Sequence, residues 1–150
     1  MTSTAFFVDL FPIAAAVLGL ILGSFSNVCI HRYIQGASII FPPSHCPLCR
    51  HTLSWWENIP LLSYVLLRGR CRRCRESIHW RYPLVEGVSG LWALLLALTF
   101  GPAAAFAVYL AFGQMLIIIS FIDLEIFILP DIYTLPGSLA ALAAATLILG

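Results

Sequence analysis

The sequence predicts an all-α polytopic membrane protein of about four transmembrane helices, with a small zinc-ribbon-like insertion in the cytoplasm between the first and second. Three observations predict it. The chain is 61% hydrophobic and 10% charged, with a mean hydropathy of +0.95, too apolar for a soluble domain with an ordinary polar shell. No charged residue occurs from Leu10 to Ile30 or from Gly87 to Ile122, so the bilayer-length requirement is met more than once. Between those stretches lie all eight arginines and the two Cys-x-x-Cys pairs.

The first span is expected at about residues 10–30, with Pro12 tolerated near its start. Gly19, Gly23, Ser24 and Ser26 give it a small-residue face for packing on another helix. A cleaved signal peptide would carry a basic segment first, whereas Asp9 is the only early charge. Cys29 reads as a small buried apolar residue. The 36 residues between Glu86 and Asp123 would form a helix of roughly 54 Å at about 1.5 Å per residue, well beyond the ~30 Å hydrocarbon core. They must make two passes, at about 84–100 and 103–122, with the turn at Gly101-Pro102. A fourth span is expected at 132–150. It stops at "AATLILG" with no polar flank, so the chain reads as the N-terminal portion of something longer.

Orientation follows from the arginines at 32, 50, 68, 70, 72, 73, 75 and 81, since the chain has no lysine. The positive-inside rule places their loop in the cytoplasm and the N-terminus outside. Two further passes then return Asp123, Glu125 and Asp131 to the cytoplasmic side. With Glu57 and Glu76 the loop 32–81 carries +8 − 2 = +6. Topology determination and attraction to anionic lipid, about 1 kcal/mol per charge near the surface, account for that excess. The arginines alternate with cysteines and prolines rather than forming a stripe, which argues against nucleic-acid binding.

Cys46-x-x-Cys49 and Cys71-x-x-Cys74 have the design of a four-cysteine zinc site, in which each pair brings two thiolates to one tetrahedral ion. The segments "CPLCRHTLSWWENIPL" and "CRRCRESIHWRYPL" echo each other: Cys-x-x-Cys-Arg, an aliphatic residue, Trp two further on, then Pro-Leu. Each half is expected to supply one knuckle and one short strand. A cytoplasmic loop is kept reduced, which disfavours two disulfides, and no βαβ pattern supports a redox pair. His45, His51 and His79 lie near enough to ligate, but four thiolates complete the shell. A closed shell has no open coordination position, so the expected role of the metal is to fold the loop.

In "SFIDLEIFILPD", Asp123 follows an apolar run directly, a place suited to a carboxyl that exchanges protons and equally to an interfacial residue closing a helix. Glu125 and Asp131 read as solvated or capping groups, and Arg81 and Glu86 as interfacial anchors at the start of the second span.

Taken together, "GSFSNVCIHRY", "FPPSHCPLC", "WWENIPLLSY", "RGRCRRC", "RYPLVEG" and "IDLEIFILPD" resemble the type IV prepilin peptidases, over nearly the whole chain and in order. The resemblance implies an inner-membrane aspartic endopeptidase that cleaves the short basic leader of type IV prepilins or pseudopilins. In many members it also implies N-methylation of the new terminus with S-adenosylmethionine. It implies Asp123 as a catalytic aspartate, whose partner in the family lies in a Gly-x-Gly-Asp string. No such string occurs in these 150 residues. Residues 1–31 are then the first transmembrane helix, 32–81 the cytoplasmic zinc loop, and 82–150 the N-terminal part of the peptidase domain. The contrasting reading is a non-catalytic, zinc-stabilised membrane adaptor of a pilus or secretion assembly. An ion transporter is disfavoured because Glu86, near one end, is the only charge inside the spans.

Overall fold

The structure is a computed structural model that describes residues 3–41, 43–126, 136–140, 142–143 and 146. Three helices among them are long and apolar enough to cross a membrane: α1 (Ser3–Ile34), α3 (Arg81–Phe100) and α4 (Ala104–Ile126). A short helix α2 (Leu62–Leu66) and a 3-10 turn (Trp55–Asn58) lie in the loop between α1 and α3. The chain is therefore a multi-pass, mostly helical membrane protein. Most of the expected fourth span, and Asp131 with it, lies outside the described residues, although 136–140 are helical.

Each helix overruns the boundary that its nearest charge suggested. α1 continues past Arg32, whose buried guanidinium donates to the Ser38 carbonyl and so needs no water at that point. It also begins upstream of Pro12, which lies inside it. α3 starts at Arg81 and α4 runs through Asp123 to Ile126. The turn between them falls where Gly and Pro placed it: Gly101 has φ +59°, and its N–H closes the helix on the Ala97 carbonyl at 2.9 Å.

In a membrane there is little hydrophobic gain from pairing two apolar helices, so close approach of backbones must supply the packing. α1 and α3 achieve it through small residues. A Cβ added at Gly19 would lie 2.5 Å from the Ser89 carbonyl oxygen and 2.6 Å from the Ala93 Cβ. One added at Gly23 would lie 2.8 Å from the Glu86 Cα. α4 closes the bundle less intimately. At one end Ala15, Ala93, Leu96, Ala97, Phe106 and Leu110 form a core, with Phe11 edge-on to Phe106 at 5.1 Å. At the loop end Ile30, Val85 and Ile122 form a second. Ile13, Val17, Ile21, Leu91, Leu95 and Leu98 stay exposed on the outer faces, as lipid-facing side chains require. Cys29 is buried, as expected.

Candidate functional site

Each Cys-x-x-Cys pair sits on a turn of the same construction. The Cys46 N–H donates to the His51 carbonyl at 2.9 Å and the Arg50 N–H donates back to the Cys46 carbonyl at 2.9 Å. In the second turn Cys71, Glu76 and Arg75 repeat this at 2.7 and 3.0 Å. Arg50 and Arg75 both adopt the left-handed backbone conformation, at φ 55° and 63°. A conformation that costs an arginine about 1–2 kcal/mol occurs at the same place in both halves, so the knuckle geometry requires it. In place of the expected strands, single antiparallel bridges join His45 to Thr52 and Arg70 to Ser77. The knuckles are too tight to extend the pairing.

The two turns face each other and bring the four sulfurs within 4.8 Å of one another. Cys46 Sγ lies 3.7 Å from Cys74 Sγ, and Cys49 Sγ lies 3.9 Å from Cys71 Sγ. Tetrahedral zinc with Zn–S bonds of about 2.3 Å sets sulfurs about 3.8 Å apart, so the donor set fits a closed four-thiolate site. All four thiols are free of disulfides. The backbone amides of Cys74 and Arg73, directed at the Cys71 sulfur, lower that thiol to about 6. The Glu76 amide favours the Cys74 thiolate too, but desolvation and the three neighbouring sulfurs outweigh it and push Cys74 up to about 12. Four sulfurs so close cannot all ionise unaided, and a divalent cation removes that conflict. The cluster can therefore hold a metal ion. The histidines stay outside it: His45 Nδ1 lies 3.0 Å from the Pro43 carbonyl, His51 faces Glu57, and His79 accepts the Arg81 N–H at 3.2 Å.

Between this ribbon and the adjoining ends of α1 and α3 lies a cavity of about 700 Å³. Its walls are mostly apolar but include Asn27, Glu57, Arg81, Glu86 and Glu125. Ser54 precedes the 3-10 turn, and its N–H donates to Glu57 Oε2 at 2.8 Å; His51 Nε2 lies 3.3 Å from the same oxygen. Burial alone would raise the Glu57 carboxyl, but the Ser54 amide and His51 outweigh it and hold the group below the ordinary glutamate range. From α1, Asn27 Nδ2 donates to the Tyr82 carbonyl at 3.0 Å. From α3, the Glu86 carboxylate accepts the Leu61 N–H at 2.8 Å, and Arg81 pairs with Glu125 of α4.

Thus Glu86, expected as an interfacial anchor, ties the loop to the bundle through Leu61, while Arg81 and Glu125, expected as an anchor and as a solvated or capping group, tie α3 to α4. Arg81 and Glu86 are buried. Asn27 and Glu57 were not singled out in the sequence; the available signal was an uncompensated amide within an apolar span. Asp123 lies in the last turn of α4 and has no hydrogen-bond partner among the described residues. It shares a helix face with Leu116 and Ser120, both exposed. That face is therefore left uncovered by α1 and α3.

Residues 17–100, which span the α1–ribbon–α3 unit, match the family model described as the Bacterial Peptidase A24 N-terminal domain. The chain belongs to this family. Among relatives of this peptidase family, a prepilin leader peptidase/N-methyltransferase of Myxococcus xanthus is 46% identical over 93% of this chain and 42% of its own length. One of the same name from Burkholderia pseudomallei is 38% identical, over 89% of this chain and 55% of its own length. A type 4 prepilin-like proteins leader peptide-processing enzyme of Escherichia coli is 40% identical, over 82% and 52%. The chain spans about half the length of the curated relatives it matches. No solved structure matches it.

Proposed function

We propose that this peptidase A24 chain is the N-terminal part of a membrane aspartic endopeptidase that removes the basic leader from type IV prepilins or pseudopilins, with Asp123 as one of its two carboxyls. The observation that carries the reading is the 46% identity, over 93% of the chain, to a relative named for that activity. Aspartic catalysis uses two carboxyls that share a proton: one activates water while the other, protonated, polarises the scissile carbonyl. The uncovered α4 face suits Asp123 to meet a second carboxyl carried by another segment, and a Gly-x-Gly-Asp string is the form that the family resemblance implies.

In this reading Cys46, Cys49, Cys71 and Cys74 hold a structural zinc ion in a cytoplasmic loop, residues 32–81, and the protein lies in the inner membrane. The ion's chemistry is to bind four thiolates and close the loop. The ribbon supplies geometry, holding an extended leader near the cytoplasmic end of α4. N-methylation of the new terminus accompanies cleavage, with S-adenosylmethionine the donor that the family resemblance implies; two relatives are named as N-methyltransferases, which supports the methyl transfer.

The test uses an enzyme containing both carboxyls, reconstituted with a prepilin. Asp123→Asn keeps the side chain's shape and removes its exchangeable proton, so cleavage should fall below detection with membrane insertion unchanged. Wild-type cleavage in that variant would remove Asp123 from the mechanism and leave the adaptor reading standing.

A further inference from the structure

The loop carries one apolar face that no described residue covers. In the segment "IPLLSYVLLRGR", residues 59–70, no charge occurs before Arg68. The side chains of α2 divide: Ser63, Tyr64 and, just beyond the helix, Leu67 line the cavity beneath the ribbon, whereas Leu62, Val65 and Leu66 do not and are 50%, 69% and 63% exposed. Positions 62, 65 and 66 fall on one side of a helical turn. Three aliphatic side chains presented together to water are unfavourable, so the face has a partner in the working protein.

The depth of α2 points to that partner. The Leu61 N–H, at the start of α2, donates to the Glu86 carboxylate. Glu86 lies more than one turn beyond Arg81, where α3 begins, roughly 7 Å along the axis at about 1.5 Å per residue. On α1 the matching level is Gly23, which packs on the Glu86 Cα; α1 stays uncharged from there through Ile30, with Phe25 exposed towards lipid. Even with the Glu86 side chain stretched towards the ribbon, α2 therefore begins at the rim of the bundle and not above it. Arg68 and Arg70 follow directly; both are exposed, and neither has an ion-pair partner among the described residues. An apolar turn at this level, closed by arginines, has the chemistry of an interfacial anchor, with aliphatic side chains at the headgroup–acyl boundary and guanidinium groups among the phosphates. We propose that α2 docks on the membrane that its own helices cross, Leu62, Val65 and Leu66 entering an anionic leaflet and Arg68 and Arg70 pairing with its headgroups. The ribbon is then held by lipid as well as by Glu86, whatever the enzyme cleaves.

The experiment photolabels the unaltered, zinc-loaded full chain in nanodiscs of phosphatidylglycerol with phosphatidylcholine, or of phosphatidylcholine alone. Each disc contains a trace of its own lipid with a diazirine near the carbonyl end of one acyl chain, and peptide mapping locates the label. In anionic discs the label on residues 62–66 should come within about threefold of that on 91–98, where Leu91, Leu95 and Leu98 are exposed. In neutral discs it should fall about fivefold, the scale of one basic residue near an anionic surface. Arg68→Gln with Arg70→Gln should bring the anionic discs down to the neutral level. Both arginines are exposed, so unchanged zinc content and protease resistance in that variant show that docking, not folding, was lost. Absence of label on 62–66 overturns the proposal. In that case, protection of these residues from hydrogen exchange only when a prepilin is added gives the face to the substrate, and a cross-link between two chains through position 65 gives it to a second copy. Equal label in charged and neutral discs, or full label in the double variant, overturns it as well.

Discussion

The buried carboxylate of Glu86, on α3, accepts the backbone N–H of Leu61, in the loop segment between the two knuckles, at 2.8 Å. Leu61 needs that partner because its backbone is held at φ 57° and ψ −44°, which a β-carbon disfavours. Removing the acceptor leaves a partly buried N–H unpaired and the strained turn unsupported. Glu86→Ala should therefore destabilise the ribbon by about 1–3 kcal/mol, while Glu86→Gln, which can still accept, should cost less than half of that. Hydrogen exchange at Leu61 and Leu62 measures it, and equal protection in both variants would refute the tie.

Arg81 and Glu125 join α3 to the end of α4 that carries Asp123. The Arg81 side chain is 9% exposed and that of Glu125 36%, so the pair is neither fully buried nor freely solvated. Arg81→Ala should cost about 1–2 kcal/mol, between the buried and surface limits. The double exchange Arg81→Glu with Glu125→Arg should recover part of that. Thermal unfolding in nanodiscs would register both, and absence of any recovery would show that packing, rather than charge, holds the two helices there.

These ties mark the limit of what one sequence discloses. The knuckles, the Gly101-Pro102 turn and the small face of α1 were legible because each is a local pattern with a local cause: metal spacing, a helix break, a four-residue period of small side chains. The partners of Arg81, Glu86 and Asn27 were not, since Arg81 and Glu125 are 44 residues apart, Leu61 and Glu86 25 apart and Asn27 and Tyr82 55 apart. Charge taken as a boundary also misplaced the helix ends. Arg32 remains helical because its guanidinium finds the Ser38 carbonyl without leaving the bundle.

Close packing of α1 on α3 gives a sharper expectation. Gly23→Val would drive its side chain into the Glu86 Cα and the Ser89 Cβ, 2.8 and 2.9 Å from where the first added carbon would sit. Backbone atoms cannot yield as a flexible side chain does, so the helices must separate, at a cost of about 1–3 kcal/mol. Because Glu86 also holds Leu61, the ribbon should loosen with them. Cross-linking yield between cysteines placed at positions 15 and 93, alanines of the core that the two helices share, should drop severalfold; an unchanged yield would mean that the two helices do not meet at this face.

Acid should act on the ribbon through Glu57. The Ser54 amide and His51 hold its carboxyl below the ordinary range despite burial. Unfolded, it titrates at about 4.3. A group depressed in the folded state contributes stability that is present above the unfolded value and is lost as pH falls through the folded one. Below about pH 4.3 the unaltered ribbon should lose protease resistance more steeply than Glu57→Gln. Thiolate protonation affects both proteins alike, so their difference isolates the carboxyl. Parallel curves would show that Glu57 is no better solvated in the fold than outside it.

The ribbon's part in the reaction can be separated from the chemistry. A 50-residue loop, 32–81, with the buried apolar atoms of Cys46 and Cys71 at its centre, has too little core to fold without its cross-link. Chelation, or Cys46→Ser with Cys49→Ser, should open residues 44–78 to protease and dissolve the cavity that Glu57 and Asn27 line. Asp123 on α4 belongs to the bundle and keeps its place, since the Ile30, Val85 and Ile122 core lies within the helices. In an enzyme carrying both carboxyls the double serine variant should therefore lose abundance and raise KM by tenfold or more. Protein that survives should retain measurable kcat on a prepilin at saturation, because in the proposed function the loop aligns the leader and supplies no reacting group. A stable, folded variant with normal binding and no turnover at any substrate concentration would contradict this, and would place the metal inside the reaction itself.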